Sequence, residues 1–335
     1  MLPNDGSWET TLNNVIYRWL AIGVVASCLF SLIGFMGGGN REAELTSHFR
    51  FQYLFIGVFG LIFFYFNTKK NILYLISIFC IVINLTEVAP WYFAPSNLAI
   101  PSATPQLRVL LSNVQTSNTN YASVISLVRE ETPKIAVFLE VNDIWAKKLD
   151  SIRTILPYSL VYAREDNFGI AMYSSLPLEK GSLKFFTNEE VASIRANITI
   201  NRKVVSMIVT HPLPPIKADY FFLRNQQLQA ISNYVKQLKN SVIVIGDLNT
   251  TMWSPYYKSF VQTSQLHNTR AGFGILSTWP ALFPPLSIPI DHCLVSPDIQ
   301  VVNSRTGKYV GSDHLPLITD LIFPEKTSVL PKNRI

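Results

Sequence analysis

Three long apolar stretches open the chain. Trp19 to Met36 carries no charge, and neither does Phe51 to Phe66. A third begins at Ile72 and stays uncharged to Thr86, then reaches Glu87, Pro90 and the cluster Trp91-Tyr92-Phe93. A helix needs about 20 residues to cross a bilayer, or about 17 at the short end. The first stretch meets that length alone. The other two meet it with their polar-aromatic flanks, where Tyr and Trp favour the interface. The pattern predicts a membrane region over 1–94 with transmembrane helices at about 16–36, 51–67 and 72–93. A cleaved signal peptide fits poorly, because the first stretch follows an acidic tail and two more stretches come after it.

Residues 95–106 are rich in Pro, Ser and Ala and read as a linker. Beyond it the period changes. Leu107–Val114, Ile135–Glu140, Phe168–Tyr173, Ala192–Ile200, Val204–Thr210, Val242–Ile245, Ile290–Val295 and Leu315–Ile322 are short β-rich runs. Tyr121–Glu131 has helical spacing with Asn118 or Asn120 as its cap, and Phe222–Leu238 is a long amphipathic helix. Strands and helices interleave, yet several strands follow one another directly. That predicts a mixed sheet, or two packed sheets, with helices outside. No repeat of solenoid period is visible, although a two-layer pseudo-symmetry is compatible with the pattern.

At 335 residues two units are expected. Within the first 100, Arg18, Arg41, Arg50, Lys69 and Lys70 balance Asp5, Glu9, Glu42, Glu44 and Glu87, so the net +6 belongs to the later part. That excess suits phosphate-bearing substrates or anionic headgroups, and an ordinary solvated surface explains it equally well. Cys28 and Cys80 lie in apolar stretches and Cys293 in a strand pattern. No disulfide framework exists, and Cys293 reads as a buried structural thiol. Lys69 and Lys70 in the short second loop, with Arg18, place that loop inside by the positive-inside rule, while Arg41 and Arg50 oppose it. On this count the part after the third helix lies outside the cytoplasm. Arg41 and Arg50 then cross too, their cost eased by Glu42 and Glu44 pairing with them in water.

The candidate chemistry sits at the ends of the apolar runs. Asn113 and Glu140 come first, followed by Gly246-Asp247-Leu248-Asn249, Pro289-Ile290-Asp291-His292 and Gly311-Ser312-Asp313-His314. A carboxylate closing an apolar strand is costly unless paired or metal-bound. Strand-end Asp, Asn, Glu and His spread this way predict convergence on one site. Hard oxygen donors suit Mg²⁺ or Mn²⁺, and His beside Asp suits proton transfer. Alternation puts Asp247 and Asn249 on one face and turns His292 away from the face of Asp291.

This ordered set, with His211 added, resembles the endonuclease/exonuclease/phosphatase superfamily over about residues 107–323. The resemblance implies a DNase I-like α/β sandwich, two packed mixed β-sheets flanked by helices, over 107–335. It implies Glu140 as the main Mg²⁺ ligand, with Asn113 beside it and Asp313 on the metal side. Asp247 and Asn249 would orient the attacking water and a phosphate oxygen. His314 would contact the phosphate and share in acid–base work, oriented by Asp291. His211 looks like the second histidine of the DNase I and sphingomyelinase branches, which stabilises transition-state charge. Arg224-Asn225-Gln226-Gln227 resembles the Arg-x-x-Gln helix start of several branches, which makes Arg224 a candidate to help hold the site on its substrate side; a solvated helix face is the equal alternative. Trp279 occupies a loop where the family often carries an aromatic near the substrate. Leu139 stands where many nucleases have Gln, and His211 where the AP-endonuclease branch has a Tyr-containing segment. Both departures point away from DNA repair.

The expectation is therefore a membrane-anchored, Mg²⁺-dependent phosphoesterase, with Mn²⁺ admitted, acting on a phosphodiester or monoester. Its partners would be the bilayer and a phosphate-ester substrate: a lipid headgroup, a nucleotide or a nucleic acid. No obligate protein partner is implied. The expected location is a bacterial inner membrane, multi-pass, with the catalytic domain extracytoplasmic. One rival is a DNase-like nuclease, but long basic runs for duplex DNA are few. The other is an inactive membrane scaffold, but such a fold has no physical reason to retain costly buried carboxylates.

Overall fold

The computed structural model describes residues 6–67, 72–93, 104–187 and 191–324. Lys69, Lys70 and most of the 95–106 stretch lie outside the described residues. The N-terminal part holds helices α1 (Gly6–Phe35), α2 (Arg41–Thr46), α3 (Arg50–Asn67) and α4 (Ile72–Val88). Segments Leu12–Phe35, Arg41–Phe66 and Ile72–Tyr92 are long and apolar enough to cross a membrane. α4 stops before Pro90, which lacks the N–H that an α-helix would need, and a 3₁₀ turn over Ala89–Tyr92 closes it. Gly60 lets α3 approach α1 closely, since a Cβ there would lie 2.4 Å from Val24 Cγ2. Asn84 Nδ2 donates to Ser31 Oγ at 2.8 Å, a polar tie between α4 and α1.

The first connection departs from expectation. Residues 37–50 are not a solvated loop whose charges pair in water. Arg41 does pair with Glu42, at 2.9 Å. Glu44 and Arg50, however, are fully buried. Glu44 pairs with Arg224 of the following domain at 3.1 Å, and Arg50 Nη1 donates to Ser31 O at 2.8 Å. The reason is space: α2 packs on the domain and excludes water, so its acid takes a buried cation instead of a flexible surface one.

The second part begins with β1 (Leu107–Asn113), α5 (Tyr121–Glu131), β2 (Ile135–Leu139), α6 (Asp143–Leu149), β3 (Tyr158–Tyr162), β4 (Ile170–Ser174), β5 (Glu179–Phe185) and β6 (Ala192–Ile200). It continues with β7 (Lys203–Thr210), α7 (Ala218–Gln237), β8 (Ser241–Asp247), α8 (Pro255–Ser264), β9 (His267–Asn268), β10 (Asp291–Val295), β11 (Gln300–Thr306) and β12 (Leu317–Ile322). One six-stranded sheet runs β11-β12-β1-β2-β4-β3 and the other β5-β6-β7-β8-β10-β9. Each sheet has one parallel pair at its centre, β1 with β2 and β7 with β8, and antiparallel pairs elsewhere. Each parallel pair is joined by a helix, α5 or α7, as a parallel connection requires. The two halves therefore repeat one pairing scheme.

Alternation along the strands builds three layers. Val109 and Leu111 of β1, Val137 and Leu139 of β2, and Met207, Val209, Ile243 and Ile245 of the other sheet meet between the sheets. Leu110, Ala136 and Phe138 face α5 and α6 through Leu127, Val128 and Trp145. Ile208, Val242 and Val244 face α7 and α8, and Val88, Phe51, Leu54 and Trp91 of the N-terminal part join that same cluster. Cys293 is buried in the central layer, and burial pushes its thiol up to about 12, as befits a structural cysteine.

Candidate active site

The four central parallel strands deliver the site. Asn113 is the last residue of β1 and Glu140 follows β2. His211 follows β7 and Asp247 ends β8. Asp291 opens β10 directly opposite Asp247, because those two strands pair antiparallel in that register. Gly246 permits this arrangement: a Cβ there would meet Thr210 O at 1.8 Å. The backbone of β8 thus presses against β7 just where their functional residues emerge.

Asp247, Asp291 and His314 place one ligand atom each within 4.8 Å of one another, all buried. His314 Nδ1 lies 2.8 Å from Asp291 Oδ2, and its Nε2 lies 3.8 Å from Asp247 Oδ2. His211 Nε2 approaches the same Asp247 oxygen at 3.7 Å. Asn249 N donates to Asp247 Oδ1 at 2.8 Å, and Asn249 Nδ2 donates to Pro212 O at 2.9 Å. On the other side, Asn113 Nδ2 donates to Glu140 Oε1 at 2.9 Å and Thr116 N to Glu140 Oε2 at 3.3 Å. Trp279 Nε1 donates to Asp313 Oδ2 at 3.0 Å, and Ser312 Oγ donates to Asn113 O at 2.7 Å.

Electrostatics divide the roles. Burial alone would lower the His314 value, but the charge and hydrogen bond of Asp291, with Asp247 beyond, outweigh it and raise it to about 10. Burial alone would raise Asp291, and His314 holds it below the usual carboxylate range instead. The two therefore form an imidazolium–carboxylate pair at neutral pH. Asp247 is pushed up to about 8 by burial and by Asp291. Burial and then the charge of His314 lower His211 to about 4, so its ring is neutral at pH 7. Burial raises Glu140, against the hydrogen bonds from Asn113 and Thr116. Such a set of crowded carboxyls fits a divalent cation, whose charge restores their ionised forms. Asp313 Oδ1 points the same way, being buried with no hydrogen-bond donor. His314 is the weaker metal donor, because a ligating imidazole must be neutral.

Most sequence-predicted residues meet here: Asn113, Glu140, His211, Asp247, Asn249, Asp291, Asp313 and His314, with Trp279 at the edge and about one third exposed. Arg224 does not join them as a substrate-side group. Its side chain is fully buried behind the site, where Nη1 donates to Asn249 O at 2.7 Å and Nη2 meets Glu44 at 3.1 Å. Arg224 lies on the buried face of α7 with Phe221 and Leu228, and Glu44 of α2 covers it from the other side. His292 is structural, as alternation predicts: Arg270 and Asn268 contact its Nδ1, and its Nε2 bonds Thr250 O. Several supporting residues escaped the sequence reading. Thr116 backs Glu140, Gln115 Oε1 accepts from Asp313 N, and Thr278 Oγ1 accepts from Asp291 N. Glu44 and His48 clamp the loop after Asp247 through Thr250, Ser254 and Thr251. Their spacing, four apart in a short charged segment, was the one available signal.

Solved structures share this fold. TDP2 from D. rerio, humanized by 14 mutations, superposes with a TM-score of 0.54 at 13% identity, covering 64% of this chain and 98% of that one. A functionally unknown conserved protein from Enterococcus faecalis gives 0.54 at 13%, covering 65% and 100%. An endonuclease/exonuclease/phosphatase from Beutenbergia cavernae gives 0.51 at 17%, covering 66% and 72%. No curated protein matches the chain by sequence. The profile of the endonuclease/exonuclease/phosphatase family matches residues 110–314, a span from β1 to His314 that takes in the whole cluster, and the chain belongs to that family.

Proposed function

We propose that the protein is a membrane-anchored, divalent-metal-dependent phosphodiesterase, with Mg²⁺ as the preferred ion. The observation that carries this reading is the buried Asp247–Asp291–His314 cluster at the mouth of two paired strands, facing Glu140 and Asn113. Glu140, Asn113 and Asp313 would hold the ion. When bound, it supplies charge stabilisation for the phosphate oxygens.

The remaining work falls to protein groups. Asp247, fixed by Asn249 N, orients a water and takes its proton. Asn249 is itself held by Pro212 O and Arg224, so its amide stays in place for a phosphate oxygen. His314 Nδ1 donates to Asp291 Oδ2, which keeps the ring charged and turns Nε2–H into the site toward Asp247, a placement that suits donation to the leaving oxygen. Neutral His211 offers an N–H to the developing charge rather than a full cation. Trp279 stands at the entrance, where an aromatic face can pack on substrate. Anchoring is supported by the three apolar helices and by exposed Trp19, Phe59 and Phe66 on their outer faces.

The test uses full-length protein in nanodiscs, because the N-terminal part packs on the catalytic loop. Hydrolysis of bis-p-nitrophenyl phosphate is expected with Mg²⁺ or Mn²⁺ and lost with chelator. No hydrolysis with either ion overturns the reading.

A further inference from the structure

The apolar helices touch the α/β domain at the end that carries the site. Arg41 Nε and Nη2 donate to Pro215 O and Ile216 O, beyond β7. His48 Nδ1 meets Thr251 Oγ1 and Trp253 Nε1 donates to Glu87 O, beyond β8. Gly272 N and Gly274 N donate to Trp91 O, beyond β9. β7 and β8 are parallel, so the ends that bear His211 and Asp247 are the ends turned toward the helices. The opposite end, with the β6–β7 turn at Arg202, is farthest away.

One loop joins the two places directly. At its start Trp279 Nε1 donates to Asp313 Oδ2, and Ala281 N donates to Asp313 O. At its end Ser287 O accepts from Gln52 Nε2, near the start of α3. Between these anchors Leu282, Phe283 and Leu286 are 71%, 53% and 50% exposed. Large apolar side chains clustered on one surface loop mark an interaction site. Both anchors limit what can cover it: one is the site, the other is the head of a membrane-length helix.

We propose that Leu282, Phe283 and Leu286 seat in the bilayer interface, and that the site takes its phosphodiester from a phospholipid headgroup in the adjoining leaflet. The proposal rests on the phosphodiesterase reading above and names its substrate class. The bonds balance as a simple hydrolysis. The water oxygen bonds to phosphorus while one ester P–O bond breaks. The water proton passes to Asp247, and the departing oxygen takes a proton from His314.

Two measurements on full-length protein in phospholipid nanodiscs test it. In the first, Phe283→Cys carries an environment-sensitive fluorophore; Cys28, Cys80 and Cys293 are buried and should stay unlabelled. Headgroup nitroxide lipids should quench this label strongly and should leave a label at Arg202→Cys bright. Equal quenching at both positions, or none at 283, overturns the bilayer contact. In the second, phospholipid hydrolysis in the disc is compared with hydrolysis of bis-p-nitrophenyl phosphate. The ratio of the two rates should fall about tenfold in Phe283→Ser, the scale for losing one large buried apolar side chain. An unchanged ratio, or faster cleavage of single-stranded DNA than of lipid, overturns the substrate assignment. Hydrolysis of the soluble diester without any of lipid sinks this proposal alone, whereas failure on both substrates removes the phosphodiesterase reading as well.

Discussion

At the scale of single residues, the site is a set of acids and imidazoles kept in different protonation states by their neighbours. Asp247 must be ionised to accept a proton, and it sits at about 8; His314 must be protonated to donate one, and it sits at about 10. The rate should therefore rise with pH through about 8 and fall through about 10. The limbs are macroscopic values of a coupled cluster. A cation held at Glu140 and Asp313 sets positive charge beside Asp247 and favours its ionised form, so more Mg²⁺ should move the rising limb to lower pH. A pH–rate series at two Mg²⁺ concentrations checks this, and an unmoved acid limb would detach the ion from these carboxyls. His314→Ala and His211→Ala should each slow turnover by about 10²-fold, the scale of a lost proton donor or oxyanion contact. Wild-type rates in either variant would make that histidine structural. Asp247 and His211 were legible in the sequence because each closes an apolar run, and His314 because it follows Ser312-Asp313 just ahead of one. Arg224 holds the backbone of Asn249, but its helix-start motif says nothing of what packs over it. Only the structure reveals that α2 covers the guanidinium.

At the scale of elements, the same logic separates what was legible from what was not. β1, β2, β7 and β8 are buried on both faces, so their sequences are mostly apolar runs that announce themselves, while β6 shows by its alternation. β5 and β11 escaped, being edge strands: Glu179–Phe185 is almost wholly exposed, and a polar edge that resists aggregation looks like a loop. α8 escaped too; Pro255 at its start reads as a breaker but suits the first turn of a helix. α2 was invisible for another reason. Its six residues are helical through tertiary packing, with Asn40 Oδ1 accepting from Ala43 N as the cap. That packing makes a prediction. Glu44→Ala would strand Arg224 as a buried, unpaired cation, at a cost of about 3–5 kcal/mol. Hydrogen exchange should then quicken across the Leu248–Ser254 loop. Unchanged exchange there would mean that α2 does not hold the catalytic loop. Glu44→Ala with Arg224→Met should recover part of the stability, because replacing both charges removes the orphan.

At the scale of the whole molecule, the N-terminal helices and the α/β part share one core face: Val88 and Trp91 sit among the side chains under α7 and α8. The end of α1, the start of α3 and the end of α4 all lie on the domain side, which is what three successive crossings require. The orientation we propose rests on Arg18, Lys69 and Lys70 against Arg41 and Arg50. Arg41, capped by Pro215 O and Ile216 O, and Glu44, buried with Arg224, would move with the catalytic domain. Fusing a reporter after Ile335 checks the direction: active alkaline phosphatase with dark green fluorescent protein is expected, and the reverse pattern would put the domain in the cytoplasm. The central claim is narrower, that Glu140 holds the ion on which phosphodiester hydrolysis depends. Its most direct measurement is a Mg²⁺ titration of bis-p-nitrophenyl phosphate turnover by the full-length protein and by Glu140→Gln. Gln keeps the shape and removes the charge. The account predicts a variant that folds normally, loses most of its activity and needs far more Mg²⁺ to show the rest; near-normal turnover at limiting Mg²⁺ would contradict it.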